Sequence, residues 1–295
     1  MTTNLERRYR LLLKVLPAWY REDREEEMVG LFLIERTDEL DLEHSWPGWG
    51  ETFAMLGLAV RTRFAAVSAP VGALRLGGVV RWLGVLGLLL SFTYIALSVR
   101  SEILVRSMPE FPPQPPPWVM LSHFLPVVAF VLLLRGQRTW AKVAYGLTVA
   151  VWLTQFFQVQ PTVWSVLWHV PSILTLVCLC LGFHKDAPTP PVRPLVWWAG
   201  AAVVLGLADI VVMGSGVLVL AVAVLSLRIY AYVRDDAVLG RALSVFAVAF
   251  GGSAAITYVP APPEYQKYAV VAAALLLVSA AAPVRRASAL RSRLP

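Results

Sequence analysis

The chain has 295 residues, of which 58% are hydrophobic and 15% charged, and its formal net charge is +7. Soluble domains contain about 45–50% apolar and about 25% charged residues, so this is not the composition of an ordinary soluble domain. The basic excess does not indicate a nucleic-acid surface, because it lies on short loops between apolar segments, as is typical of membrane topology.

The charges divide the chain near residue 75. Residues 1–75 contain 12 acidic and 10 basic residues, whereas residues 76–295 contain 7 acidic and 16 basic ones. This break predicts two domains: a cytosolic three-helix module over residues 1–70 and a transmembrane domain over residues 71–295.

The first domain has three segments with helical spacing of apolar residues. Helix one is predicted over Asn4–Leu16 and is stopped by Pro17, which cannot continue a helix. Helix two is predicted over Ala18–Thr37, and helix three over residues 47–67. Four residues form the predicted apolar stripe of helix three: Phe53, Leu56, Val60 and Phe64.

An acidic run in helix two adjoins apolar residues, and this combination predicts a surface that binds a cytosolic protein. The residues of this predicted partner surface are Glu25, Glu26, Glu27, Met28, Leu31 and Phe32. Three short amphipathic helices bury little area alone, so we expect the module to pack partly on a partner or on the membrane surface.

Two stretches of the module, RRYRLLLKVLPAWYREDREEEMVGLFLIER and PGWGETFAMLGLAVRTRF, resemble the HAAS-type helical signalling domain. That domain is associated with helix-turn-helix regulators of the PadR type and precedes the membrane helices of bacterial, especially actinobacterial, proteins. Trp46 and Trp49 depart from the charged lead-in that is more common before helix three. The resemblance implies signalling to a transcription regulator and transfers no catalytic residue.

The second domain is predicted to be an all-α integral membrane bundle of about eight helices, since a span needs about 20 apolar residues. The predicted spans are residues 76–99, 117–134, 143–159, 163–183, 195–213, 217–233, 242–259 and 268–283. The third, seventh and eighth spans are short, so a bundle of seven spans stays open.

Loop charges predict the orientation of these spans. With the N-terminus inside, 13 basic residues flank the inner ends, whereas the outer flanks carry Arg100, Arg106 and Lys267. Cytoplasmic loops carry the excess of Lys and Arg, so both termini are expected in the cytoplasm of a multi-pass cell-membrane protein.

Three ionisable residues inside the predicted spans are candidates for a ligand site: His123, His169 and Asp209. The topology places all three about 6–9 Å below the outer boundary, at 1.5 Å per helical residue. Intramembrane ionisable groups are costly and mark candidate sites. Each group could instead bond a neighbouring helix, and two histidines on different helices also allow a haem- or quinone-binding protein.

The chain contains no phosphate-binding loop, zinc-protease helix motif or nucleophile elbow, so we predict neither an enzyme nor a resident cofactor or metal. The first functional hypothesis is a membrane-anchored signalling or regulatory protein whose spans sense a ligand or an envelope state. The alternative is a transport component, such as a permease subunit or a lipid-handling protein.

Overall fold

The computed structural model describes residues 3–34, 46–106, 121–158, 163–208, 216–257 and 263–282, which are helical and contain no strand. The described helices are α1 (Asn4–Leu13), α2 (Ala18–Ile34), α3 (Trp49–Arg63), α4 (Val71–Arg106), α5 (Leu125–Leu134), α6 (Arg138–Gln158), α7 (Val163–Gly182), α8 (Val192–Ala208), α9 (Gly216–Val233), α10 (Ala237–Thr257) and α11 (Pro263–Ala281). The all-α fold class is therefore present throughout the described part of the chain.

The chain divides into two compact units, residues 1–77 and residues 78–295. The division falls inside α4, a few residues beyond the boundary predicted at residue 70. The first two turns of α4 thus belong to the N-terminal unit.

The N-terminal unit has a small core built around α1, which packs on both α2 and α3. The Thr3 hydroxyl caps α1 by accepting from the Glu6 amide at 3.2 Å, and Pro17 lies between α1 and α2. The buried core residues are Leu5, Tyr9, Leu13, Leu16, Val29, Phe32, Met55 and Ala59. The rings of Tyr9 and Phe32 stack with centroids 3.9 Å apart, and this contact fixes the register of α2 on α1.

One arginine joins the charged faces of α1 and α2. The Arg10 guanidinium donates to Glu26 at 2.7 and 3.0 Å and also to Glu6 at 3.0 Å. It lies 3.4 Å from Glu25. The Arg10 hydrogen bond holds the pKa of Glu26 below its usual range.

The predicted apolar stripe of α3 is not the face that packs against the small core. The buried residues of α3 are Met55, Ala59 and Thr62, whereas Phe53 is 66% exposed and Leu56 is 44% exposed. The helix has apolar residues on two faces, and the face carrying the small Ala59 lies against the core. Periodicity alone does not choose between two apolar faces.

Helix α4 contacts α6, α7, α8 and α10 within the second unit. Small residues allow the close approaches: a Cβ built on Gly87 would overlap the Thr175 side chain of α7, and one on Gly206 of α8 would lie 2.6 Å from the Thr93 carbonyl oxygen. Close packing of this kind is characteristic of helices that pair through small residues.

Two arginines hold the ends of neighbouring helices in the second unit. Arg228 of α9, only 4% exposed, donates to the carbonyls of Gly240 in α10 and Ala282 after α11. Arg138 of α6 donates likewise to carbonyls just after α7. After α7 and α11, such a cation satisfies carbonyls that lack a partner within the helix and complements the helix dipole. Gly240 instead lies in the first turn of α10, where its carbonyl also accepts from the Ser244 hydroxyl at 3.2 Å.

Eight described helices, α4–α11, overlap the eight predicted spans, and their described ends differ from the predicted ones by up to about eight residues. By length and composition, one helix among the described residues is long and apolar enough to cross a membrane, over Val71–Val99. Six of the other described helices, all but α6, have shorter apolar parts of 10–17 residues.

Candidate functional site

The second unit contains an apolar cavity of about 320 Å³ between α4, α8 and α9, with α10 at its back. Leu89 of α4, Leu205 of α8 and Val222 of α9 are among its lining residues. The two hydroxyls in the lining are already bonded: Thr93 donates to the Ala202 carbonyl at 3.2 Å and Ser226 to the Val222 carbonyl at 2.8 Å. The cavity therefore favours an apolar occupant.

An aromatic series leads from this cavity to the ends of α8 and α9. Trp198 lines the cavity, and its ring lies 5.7 Å from Trp82 and 6.0 Å from Tyr230, measured between centroids. The Arg234 guanidinium lies 5.6 Å above the Tyr230 ring. The cavity thus has an aromatic end that terminates in an exposed cation.

A cluster of buried hydroxyls lies between α4, α6 and α7. The Tyr145 hydroxyl is 3.2 Å from the Ser91 hydroxyl and also interacts with the Ser172 and Thr175 side chains. Ser91 donates to the Gly87 carbonyl at 3.0 Å, so the cluster is anchored on the backbone.

This hydroxyl cluster joins three helices without a charged group. Hydroxyls titrate far from neutral pH, so the arrangement offers hydrogen bonds rather than a base or a proton carrier. Sequence reasoning missed it because only ionisable residues were taken as candidates. Tyr145 and Thr175 are polar residues within predicted spans, and this is the sequence signal that could have found the cluster. Both are 1% exposed in the structure.

The three predicted ligand-site residues have different outcomes. His123 lies in the turn before α5 and is half-buried. His169 lies on α7, with its ring 5.7 Å from that of Trp152 on α6. Both α5 and α7 pack on α6, but a ring contact with α6 is given for His169 alone. Asp209 lies outside the described residues, and the joint site stays a prediction.

The structure gives most of the predicted partner surface an internal role. Glu25 and Glu26 pair with Arg10, Phe32 is buried, and Met28 packs against the small core. The remaining two, Glu27 and Leu31, are exposed, with Leu31 at 62%. The acidic run is therefore used largely to attach α2 to α1.

A second apolar surface of the N-terminal unit lies on α3. Trp49 is 78% exposed, and it shares one side of α3 with Phe53, whose ring centroid is 6.2 Å away, and with Leu56. Spacings of four and three residues place these side chains in one row, here named the α3 stripe. Exposed apolar rows of this kind mark interaction surfaces.

No protein-family model matches the chain, and neither a curated protein nor a solved structure matches it. The comparisons therefore do not test the HAAS-type resemblance, which rests on the two stretches of the N-terminal module alone. Within the described ranges, no three His, Cys, Asp or Glu side chains converge as a set that could hold a metal ion.

Proposed function

We propose that all eight helices of the second unit, α4–α11, cross a membrane. The support is the outward surface of these helices, where many large apolar side chains are exposed, together with alanines that are buried between the helices. Buried examples are Ala129, Ala144, Ala202, Ala221, Ala242 and Ala272, and exposed examples are Val131, Leu147, Val204, Val248, Val270 and Leu277. Small residues at helix contacts are typical of membrane bundles, and extended apolar surfaces are rare on soluble monomers.

The basic residues of the loops orient this proposed bundle with both termini in the cytoplasm. Reporter fusions after residues 1 and 295 test the orientation, with a fusion at residue 267 as the matched outer position. We expect cytoplasmic signals from both ends and a periplasmic signal from residue 267. A periplasmic signal from either terminus would contradict the eight-span arrangement.

Within this arrangement, we infer a membrane-anchored regulatory protein whose N-terminal unit binds a cytosolic protein. The observation that carries the proposal is the α3 stripe, an exposed apolar row on a unit that packs its own separate core. The HAAS-type resemblance names a helix-turn-helix regulator of the PadR type as the partner, with the spans sensing a ligand or an envelope state.

A binding experiment with the purified full-length chain and a purified PadR-type regulator from the same genome tests this proposal. We expect Trp49→Ser with Phe53→Ser to weaken binding about tenfold or more, because buried aromatic anchors dominate interfaces. Leu11→Ser is the matched control, since Leu11 is 55% exposed on α1.

A third variant compares the two candidate surfaces of the N-terminal unit directly. Glu27→Ser with Leu31→Ser removes the exposed part of the sequence-predicted surface. Loss of binding in this variant alone would assign the interface to α2 rather than to the α3 stripe. Equal binding by all variants would exclude both surfaces.

The apolar cavity favours a second candidate function, that of a lipid-handling transport component. A regulatory role predicts capture of a transcription regulator, whereas a permease subunit predicts capture of a nucleotide-binding subunit. Co-purification of the full chain with tagged candidates of each class separates the two functions.

A further inference from the structure

We propose that the cavity between α4, α8 and α9 binds one membrane phospholipid, with an acyl chain inside and the phosphate at Arg234. This inference rests on the proposed membrane-spanning arrangement. It names the class of ligand that the bundle binds and is independent of the cytosolic partner.

The shape of the cavity suits a chain that lies along the helices. Its lining runs from Trp198 to Leu205 on α8 and from Val219 to Leu227 on α9, about 10–12 Å at 1.5 Å per residue. Beyond Leu205, Gly206 brings α8 against α4 at Thr93 and Ala96, which closes the far end. An elongated space closed at one end fits an acyl chain better than a compact ligand.

The chemistry of the lining excludes the polar part of a ligand from the interior. The Thr93 and Ser226 hydroxyls donate to backbone carbonyls. The remaining side chains of the lining are apolar apart from Trp198. An apolar lining offers water few hydrogen-bond partners, so filling this space with hydrocarbon displaces no well-bonded water.

The aromatic end provides the position for a headgroup. Trp and Tyr concentrate at the level of lipid headgroups, and the series Trp198, Tyr230 and Arg234 leads outward from the cavity. A guanidinium binds phosphate oxygens in pairs, with fixed geometry. Arg234 follows the last residue of α9 and is exposed, so its free N–H groups are accessible to a phosphate.

Two carboxylates follow Arg234 and set the local charge. Asp236 accepts from the Val238 and Leu239 amides at 3.1 and 2.9 Å, so its carboxylate caps the start of α10. Asp235 is exposed beside Arg234. It opposes an anionic headgroup, and Asp235→Asn is therefore expected to increase phospholipid retention.

Native mass spectrometry of the delipidated full-length protein, titrated with dioleoyl phosphatidylglycerol, tests the proposal. We expect one phospholipid to be retained under activation that strips the others. Ala201→Trp and Val222→Trp fill the cavity from opposite walls, and each should reduce retention of that lipid about tenfold, equivalent to about 1.4 kcal/mol. Ala274→Trp, on the exposed face of α11, is the size-matched control.

The headgroup contact has its own pair of variants. Arg234→Gln should reduce retention severalfold, whereas Arg135→Gln, an exposed arginine after α5, should leave it unchanged. Thermal unfolding of every variant without lipid separates a filled cavity from a misfolded bundle.

Three results would overturn the proposal. Equal losses in Ala201→Trp and Ala274→Trp would mean that the lipid is bound nonspecifically at the bundle surface. Retention unaffected by either cavity-filling variant would place the lipid elsewhere, and preferential retention of an isoprenoid quinone would assign another ligand. Failure of the proposed function would instead appear in the reporter fusions or the regulator-binding experiment, which do not involve this lipid.

Discussion

The two units of this chain are held together by different interactions. The N-terminal unit packs a small core between three amphipathic helices and joins their polar faces through Arg10. In the second unit, glycines, alanines and neutral hydroxyls lie where helices meet, and Arg228 donates to backbone carbonyls at Gly240 and Ala282.

The difference follows from the solvent that each unit would face. In water, burial of apolar surface drives packing, and surface charges can pair or remain solvated. Between helices in lipid, the hydrocarbon outside is as apolar as the core, so close packing and hydrogen bonds remain as the specific forces. Substitutions at helix contacts should therefore dominate the stability of the second unit, whereas charge substitutions should matter in the first.

The largest effect is expected at the closest helix contact. Gly87→Leu would place a side chain where Thr175 already lies, and we expect it to destabilise the bundle by about 3 kcal/mol, at the upper end for overpacking. Unfolding in mixed micelles measures the change. Gly200→Leu is the control, because nothing lies within 4 Å of a Cβ at Gly200. Equal losses in both variants would show that close approach at Gly87 is unimportant.

The next effect concerns the buried arginine. Arg228→Met keeps the apolar stem but removes the guanidinium donor from the Ala282 carbonyl and from the Gly240 carbonyl, which keeps the Ser244 hydroxyl as a donor. Because hydrogen bonds to charged groups contribute about 1.5–3 kcal/mol, we expect a loss of about 2 kcal/mol in the same unfolding assay. Arg241→Gln, an exposed arginine of α10, should change stability little. A stable Arg228→Met variant would mean that the desolvation cost of the guanidinium offsets its hydrogen bonds.

The sequence predicted much of the helical framework and little of the site. Helix starts and stops followed from Pro17 and from the apolar segments, because backbone hydrogen bonding and length constraints act locally along the chain. The buried face of α3 was not predictable in this way, since Phe53 and Met55 are both apolar and only the packing against α1 selects between their faces.

Residues that act through another helix were the hardest to predict. The contact between Gly87 and Thr175 joins positions 88 residues apart in the sequence, and the cavity requires three helices to be placed together. The predicted layer of His123, His169 and Asp209 relied on depth along each span, which does not specify the direction in which a side chain points. Depth and direction are independent, so a shared depth does not by itself bring three side chains together, and the joint site stays a prediction.

A smaller effect is expected in the hydroxyl cluster. Tyr145→Phe keeps the ring but removes the hydroxyl that lies 3.2 Å from Ser91, and we expect a loss of about 1 kcal/mol, as for interhelical hydrogen bonds in membranes. Thr154→Val serves as the control, since the exposed Thr154 hydroxyl bonds the Val151 carbonyl within its own helix. A more stable Tyr145→Phe variant would show that the free-energy cost of burying the hydroxyl exceeds the stabilisation from its hydrogen bonds.

The smallest effect should distinguish the N-terminal unit from the bundle by its response to pH. Arg10 lowers the pKa of Glu26 from its ordinary value near 4.5, so the folded unit favours the ionised carboxylate. This contribution is present above the ordinary pKa and is lost as the pH falls through the lowered one. The Arg10 pKa is raised, so the guanidinium stays charged throughout.

Hydrogen exchange of the full chain measures this contribution through the protection of amides in α1 and α2, corrected for intrinsic exchange at each pH. We expect protection to decrease between neutral pH and about pH 3.5, and the decrease to shrink in high salt because the pairs are close to solvent. Arg10→Gln should remove most of this pH dependence, while Arg7→Gln, which loses a bond to Asn4, should retain it. Identical pH profiles for the two variants would mean that α1 and α2 are held by their apolar core alone, as in the stacking of Tyr9 on Phe32.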